Sequence, residues 1–140
     1  YHVGDSGVLV VGQRGLVKHL TVSHSPTGYA IEAGVMDEEE ALDHDERHLV
    51  SNVVGSPEMK IEIGPSLTLA PRDTVLLASD GVFDNLRIEE ICDAVRTGPV
   101  RVAARRLAEL ARQRMMGGGG DGPAKPDDCT VVVYRPTRSG

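Results

Sequence analysis

The sequence predicts an α+β sandwich, with a sheet of short aliphatic strands and helices gathered mostly late in the chain. Three observations carry this. Apolar, β-branched runs recur in "GVLVVG", "TVLLAS" and "CTVVVY", each bounded by glycine, aspartate or another turn former. A helix-period stripe, Ala103, Leu107, Leu110 and Ala111, runs through Val100–Met116. Strands and helices do not alternate one by one, which excludes a simple βαβ chain.

Taken in order, Val8–Val11, the break "GQRG" and Leu16–Thr21 read as a hairpin. From Val22 the texture changes. Pro26, Gly28 and Gly34 mark a loop, and "MDEEEALDHDERHLVSNVV" is polar and helix-like, its glutamates Glu38 to Glu40 suiting a helix start. Met59, Ile61 and Ile63 alternate with Lys60 and Glu62, the pattern of a half-buried strand that Leu67 and Leu69 continue. "APRD" turns the chain into Thr74–Ala78, a strand expected to be buried on both faces. Ile88–Val95 and Val100–Met116 read as helices, with Arg101, Arg105, Arg106, Arg112 and Arg114 on a solvated face. Residues 117–126, "GGGGDGPAKP", read as a flexible loop before the last strand, Thr130–Tyr134, which is also expected to be buried.

At 140 residues, 40% hydrophobic and 26% charged, the chain is one globular domain by length and composition. With three Tyr, one Phe and no Trp, its core must be aliphatic. A net charge of −6 argues against nucleic-acid binding and suits a protein that gathers cations. Cys92 and Cys129 have no paired spacing, which points to a reducing, cytoplasmic setting. Neither a signal pattern nor a membrane-length apolar run is present in the sequence. The chain opens inside a sheet and without Met, as a fragment or a processed product would.

The chemistry concentrates in aspartates at strand ends. Asp80 follows Thr74–Ala78, and Asp127 and Asp128 precede Thr130–Tyr134. If those strands pair antiparallel, Asp80 and Asp127 converge on one rim. Asp84 joins them if the chain turns helically after Asp80, and Asp5 in "GDSG" sits at another strand end. Carboxylates so close raise one another's pKa, and a divalent cation relieves the conflict. Oxygen ligands without paired Cys or His favour Mg²⁺ or Mn²⁺ over zinc. A metal-bound water is a nucleophile at neutral pH, so hydrolysis at a phosphoryl centre is the expected chemistry. Each of these Asp-containing stretches is also ordinary turn chemistry when taken alone.

In order and spacing these motifs resemble the metal-dependent protein serine/threonine phosphatases of type 2C, the PPM family, in their bacterial form. "HVGDSGVLVV" resembles the family's Gly-Asp-Ser element, "LLASDGVFDN" its Ser-Asp-Gly-x-x-Asp element, and "PDDCTVVVYR" its closing Asp-Asp/Asn-x-Thr strand. "HLVSNVVGSP" is similar to the stretch after the variable flap, which here spans residues 22–56. The resemblance implies part of a four-layer α-β-β-α sandwich, with residues 1–140 forming the C-terminal part of the domain and the N-terminal half absent. It implies two or three Mn²⁺ or Mg²⁺ ions in the complete domain. Asp80 and Asp127 would hold the paired catalytic ions, and Asp5, Asp80 and Asp84 a third. Asp128 would support the ligands, and Gly7 stands where the family usually has Arg. The Asp-Gly-His-Gly motif and the phosphate-binding Arg of the family are missing. The implied function is hydrolysis of phosphoserine and phosphothreonine in phosphoproteins, with a serine/threonine kinase as a partner. This chain alone would hydrolyse little or nothing, and its uncovered sheet would favour self-association.

Two other readings stand beside it. His44 and His48, four apart in "HDERH", echo a His-Glu-x-x-His zinc site, with Asp45 in place of the glutamate and His24 as a further candidate. A non-catalytic, phosphatase-like module that binds a phosphoprotein or a kinase is the second.

Overall fold

The computed structural model describes residues 1–117 and 124–136. Its centre is an antiparallel sheet of four strands in the order β2-β1-β3-β4. These are β1 Gly7–Val11, β2 Val17–Leu20, β3 Thr74–Ala78 and β4 Val131–Tyr134. β1 and β2 form the expected hairpin. Gly12 N–H donates to Leu16 O, Gly15 N–H donates to Gly12 O, and Gly15 takes φ +88°, a value that favours glycine. β3 lies between β1 and β4, with Leu76 opposite both Leu9 and Val133.

Register sends Leu9, Val11, Leu76 and Ala78 to one face of the sheet. There they meet Ile91 and Val95 of helix α4 (Ile88–Val95) and Leu107 and Ala111 of helix α5 (Val100–Met115), all in one buried aliphatic core. Truncating a fully buried leucine such as Leu107 removes about 2–5 kcal/mol of stability in cores of this kind. The stripe expected on the last long helix is therefore the core stripe. Arg114, by contrast, is buried rather than solvated: it pairs with Glu90 at 2.5 Å and reaches Asn85 O at 3.5 Å. An arginine one turn beyond Ala111 keeps to the inward side and carries its charge to an acid on the neighbouring helix.

The opposite face differs from expectation. β3 was expected to be buried on both sides, yet Leu77 is 45% exposed, and Val132 and Tyr134 on β4 are 55% and 54% exposed. Leu77 faces Val132 across the β3–β4 pair, so these residues form one uncovered apolar strip.

Two further expectations fail for local reasons. Pro26–Glu32, read as loop, is helix α1. Pro26 stands at the start of the helix, where its missing N–H costs nothing, and the Ser25 hydroxyl caps it by accepting from Gly28 N–H at 3.0 Å. Gly28 is not a helix breaker here: a Cβ would lie 2.2 Å from Ser23 O. Conversely, Met59–Ile63 is not a strand. A single bridge, His2 to Glu62, stands in its place, and Ile61 and Ile63 are 56% and 73% exposed. Alternation specifies a strand only where a neighbour supplies the ladder.

Helix α2 (Glu38–Asp43) begins with a capping box between Asp37 and Glu40, and its first turn holds the three expected glutamates. A short helix, α3, covers Asp80–Phe83. The turn expected at "APRD" is present: Ala70 N–H donates to Asp73 Oδ2 at 2.7 Å, and Lys18 pairs with the same oxygen at 2.6 Å. Burial opposes ionisation of Asp73, but these two bonds outweigh it and hold the carboxyl below its ordinary range. The expectation of flexibility at 117–126 falls largely outside the described residues. No helix among them is long and apolar enough to cross a membrane.

Candidate metal centre

The rim shared by β3 and β4 is zipped past the last strand residues. Ser79 N–H donates to Thr130 O at 3.1 Å, and Thr130 N–H donates to Ser79 Oγ at 3.0 Å. The chain then turns helically, with Asp84 N–H donating to Asp80 O at 2.7 Å, which brings both carboxylates to one side. Gly81 lets the two segments touch, since a Cβ there would lie 2.2 Å from Asp128 O.

Asn85 completes the scaffold. It is fully buried, and its amide donates to Gly81 O at 3.0 Å and Lys125 O at 2.8 Å. Its Oδ1 accepts from Lys125 N–H at 2.6 Å. Lys125 is thus held by both polar groups of its backbone. Its ammonium lies 2.6 Å from Asp84 Oδ2, 3.3 Å from Asp80 Oδ2 and 3.5 Å from Asp127 Oδ2.

The electrostatics follow from this arrangement. Burial pushes the Asp84 carboxyl up, and Lys125 offsets only part of the rise. Burial and then the charge of Asp80 raise Asp5, which forms no ion pair among the described residues but feels both Asp80 and Lys125. Burial opposes the charge on Lys125, yet the hydrogen bond and charge of Asp84, helped by Asp80, raise its pKa. Asp5 and Asp84 also line a cavity of about 410 Å³ that reaches Thr27 and Ile31 of α1.

The donor set suits a hard divalent cation. All the side-chain ligands on offer are carboxylate oxygens, and three of the carboxylates already converge on a cation, the Lys125 ammonium. The structure thus brings Asp80, Asp84 and Asp127 together and sets Asp5 beside them. Asp128 N–H donates to Asp127 Oδ1 at 2.8 Å and orients that carboxylate.

Sequence reasoning missed Lys125 and Asn85. The lysine stands two residues before Asp127 in a stretch read for its glycines and prolines, and the asparagine ends "LLASDGVFDN". Gly7, where the family's arginine is usual, has a neighbour that explains it. A Cβ at Gly7 would meet the Phe83 ring at 2.7 Å, so the ring fills that space.

The histidine reading fails. His44 ends α2, with φ −73° and ψ 138°, and its Nδ1 accepts from Glu46 N–H; His48 lies in the separate 3-10 turn Asp45–His48. The two do not share a helix face. The one set of three ligand-type side chains clustered within 4.8 Å among the described residues is His2, His24 and Glu62. His24 Nδ1 accepts from Gly4 N–H and Asn52 Nδ2, so Nε2 carries the proton that it donates to Glu62 at 2.8 Å. That ring offers a metal no lone pair and instead ties residues 2–4 to residues 52–62.

Comparison with known proteins agrees with this architecture. No family model matches the chain. The serine/threonine protein phosphatase PstP of Mycobacterium tuberculosis is 33% identical over 136 residues, which cover 94% of this chain and 24% of that protein. The crystal structure of the PPM Ser-Thr phosphatase MsPP from Mycobacterium smegmatis, in complex with cacodylate, superposes with a TM-score of 0.68 at 31% identity, covering 96% of this chain and 53% of that one. A structure of the PstP catalytic domain with 2 manganese ions superposes with a TM-score of 0.60 at 29% identity, covering 94% and 50%. The chain therefore spans about half the length of the solved relatives and about a quarter of the full PstP sequence. Along nearly its whole length the chain is similar to PPM-type serine/threonine protein phosphatases and corresponds to about half of their catalytic domain.

Proposed function

We propose that this chain is the C-terminal part of a Mn²⁺- or Mg²⁺-dependent phosphatase that hydrolyses phosphoserine and phosphothreonine in phosphoproteins. Asp80 and Asp127 hold the paired catalytic ions in this reading, and Asp5, Asp80 and Asp84 hold a third. The observation that carries it is the convergence of three of these carboxylates on one cation at the β3–β4 rim. The bound ions supply positive charge for a phosphoryl oxygen and a water acidic enough to attack at neutral pH. The chain's own residues position that chemistry: Ser79 and Thr130 fix the rim, Gly81 lets the two segments approach, and Asp128 N–H orients Asp127.

With the other half of the domain present, Asp80→Asn should lower phosphopeptide turnover more than about 100-fold, since even partners of a metal's ligands are worth 10–100-fold. Asp84→Ala should spare the paired ions and disturb the third. Steady-state assays with Mn²⁺ and a phosphothreonine peptide measure both, and wild-type turnover in Asp80→Asn would end the assignment. The chain by itself carries part of the ligand set and should hydrolyse little or nothing. Residues 22–56, which wall the cavity beside Asp5 and Asp84, act as the flap that selects substrate.

The strip formed by Leu77, Val132 and Tyr134 is where the second sheet of the sandwich packs. Without that sheet, two copies of the chain associate through it. Leu77→Lys with Val132→Lys should turn a concentration-dependent sedimentation profile into that of a monomer, with little change in the unfolding midpoint because both side chains are about half exposed. A wild-type chain that stays monomeric at high concentration would refute this.

A further inference from the structure

We propose that Lys125 is a tethered counter-cation of the metal centre. Its ammonium takes the place of a divalent ion among Asp80, Asp84 and Asp127, and metal binding must displace it. This rests on the reading of those carboxylates as metal ligands.

Spacing is the first support. The ammonium's distances of 2.6, 3.3 and 3.5 Å to the carboxylate oxygens are those of ion pairs. A Mg²⁺ ion needs its oxygens at about 2.0–2.1 Å. Among the described residues no three of these aspartates bring oxygens within 4.8 Å of one another. The carboxylates are spread around the larger cation, and they must close in when the ion replaces it.

Anchoring is the second. A surface lysine that merely drifts into an acidic patch has a free backbone. Lys125 does not: fully buried Asn85 grips its N–H at 2.6 Å and its C=O at 2.8 Å, and Pro126 restricts the residue before it. The backbone stays fixed while the four-carbon stem remains able to turn. The Lys125 side chain is 18% exposed, so a path to solvent is open. A cation tethered this closely competes with metal at a high effective concentration, and it does so without leaving the protein. In the metal-free chain the same charge offsets repulsion among the aspartates.

Mn²⁺ titration by calorimetry, with the other half of the domain present and at fixed pH and ionic strength, tests this directly. Lys125→Met keeps the length of the stem without its charge, and Lys125→Gln serves as a second neutral variant. Both should bind Mn²⁺ about tenfold or more tightly than wild type, given the strength of a unit charge at this range. Lys125→Arg should bind no more tightly than wild type. The metal-free neutral variants should also melt at a lower temperature, having lost the counter-charge. Asp80→Asn separates the two ideas. If it weakens Mn²⁺ binding while the neutral Lys125 variants bind no better than wild type, the lysine proposal falls and the metal reading stands. If no variant binds Mn²⁺, both fall together.

Discussion

Replacing Gly81 by alanine is expected to remove about 3 kcal/mol or more of folding stability, at the upper end of what overpacking costs. The added Cβ would lie 2.2 Å from Asp128 O and 3.1 Å from Asp128 C. Both are backbone atoms, so no rotamer change relieves the contact. Asp128 cannot retreat easily either, because the Ser79 hydroxyl donates to Asp128 O at 3.3 Å and accepts from Thr130 N–H at 3.0 Å, tying the two segments together. The rim must therefore open, which pulls Asp127 away from Asp80 and strips the last bonds from the β3–β4 pair. Since a domain of this kind is stable by only about 5–15 kcal/mol, urea unfolding should show the loss plainly. Gly64→Ala is the control. Its Cβ would meet only His19 Nε2 at 4.0 Å, and a change within about 0.5 kcal/mol is expected there. An unaltered midpoint in Gly81→Ala would mean that the Asp128 carbonyl is not seated against α3.

That contact shows what the sequence could and could not convey. The apolar runs that became β1, β3 and β4 were legible because burial on one sheet face needs aliphatic side chains in register. The antiparallel meeting of β3 and β4 was a condition in that reading, and with it Asp80 and Asp127 come to one rim. The failures have a common cause, which is that each depended on a partner distant in sequence. Ile61 and Ile63 alternate as a strand should, but only Glu62 finds a ladder partner, in His2. Leu77, Val132 and Tyr134 read as buried because they are apolar, whereas no described residue covers them fully. Pro26 and Gly28 were read for their local meaning as breakers, and their true setting was a capped first turn and a close approach to Ser23. Lys125 was lost in a stretch whose composition says loop, although Asn85, forty positions earlier, fixes its backbone. Charge chemistry was visible at the acids and hidden at the cation that they share.

Asn85→Ala should be the second most damaging change, at about 3 kcal/mol. Asn85 is fully buried and has three hydrogen bonds, to Gly81 O, Lys125 O and Lys125 N–H, all between 2.6 and 3.0 Å. Each net hydrogen bond is worth about 1 kcal/mol, and every partner left unsatisfied in the interior adds a desolvation cost. Asn85→Asp tests the direction of the bonds rather than their number. It keeps an acceptor for Lys125 N–H but sets a second carboxylate oxygen against two carbonyl oxygens in a buried site, so it should destabilise at least as much as alanine at neutral pH. Hydrogen exchange at the Lys125 amide gives a readout that general destabilisation does not mimic. In the wild-type chain that amide should exchange only with global unfolding, and in Asn85→Ala it should exchange freely while the β1–β3 amides stay protected. A Lys125 amide that remains protected in the variant would mean that Pro126 and the β4 pairing hold the segment without Asn85. The clamp would then be incidental to where the ammonium sits.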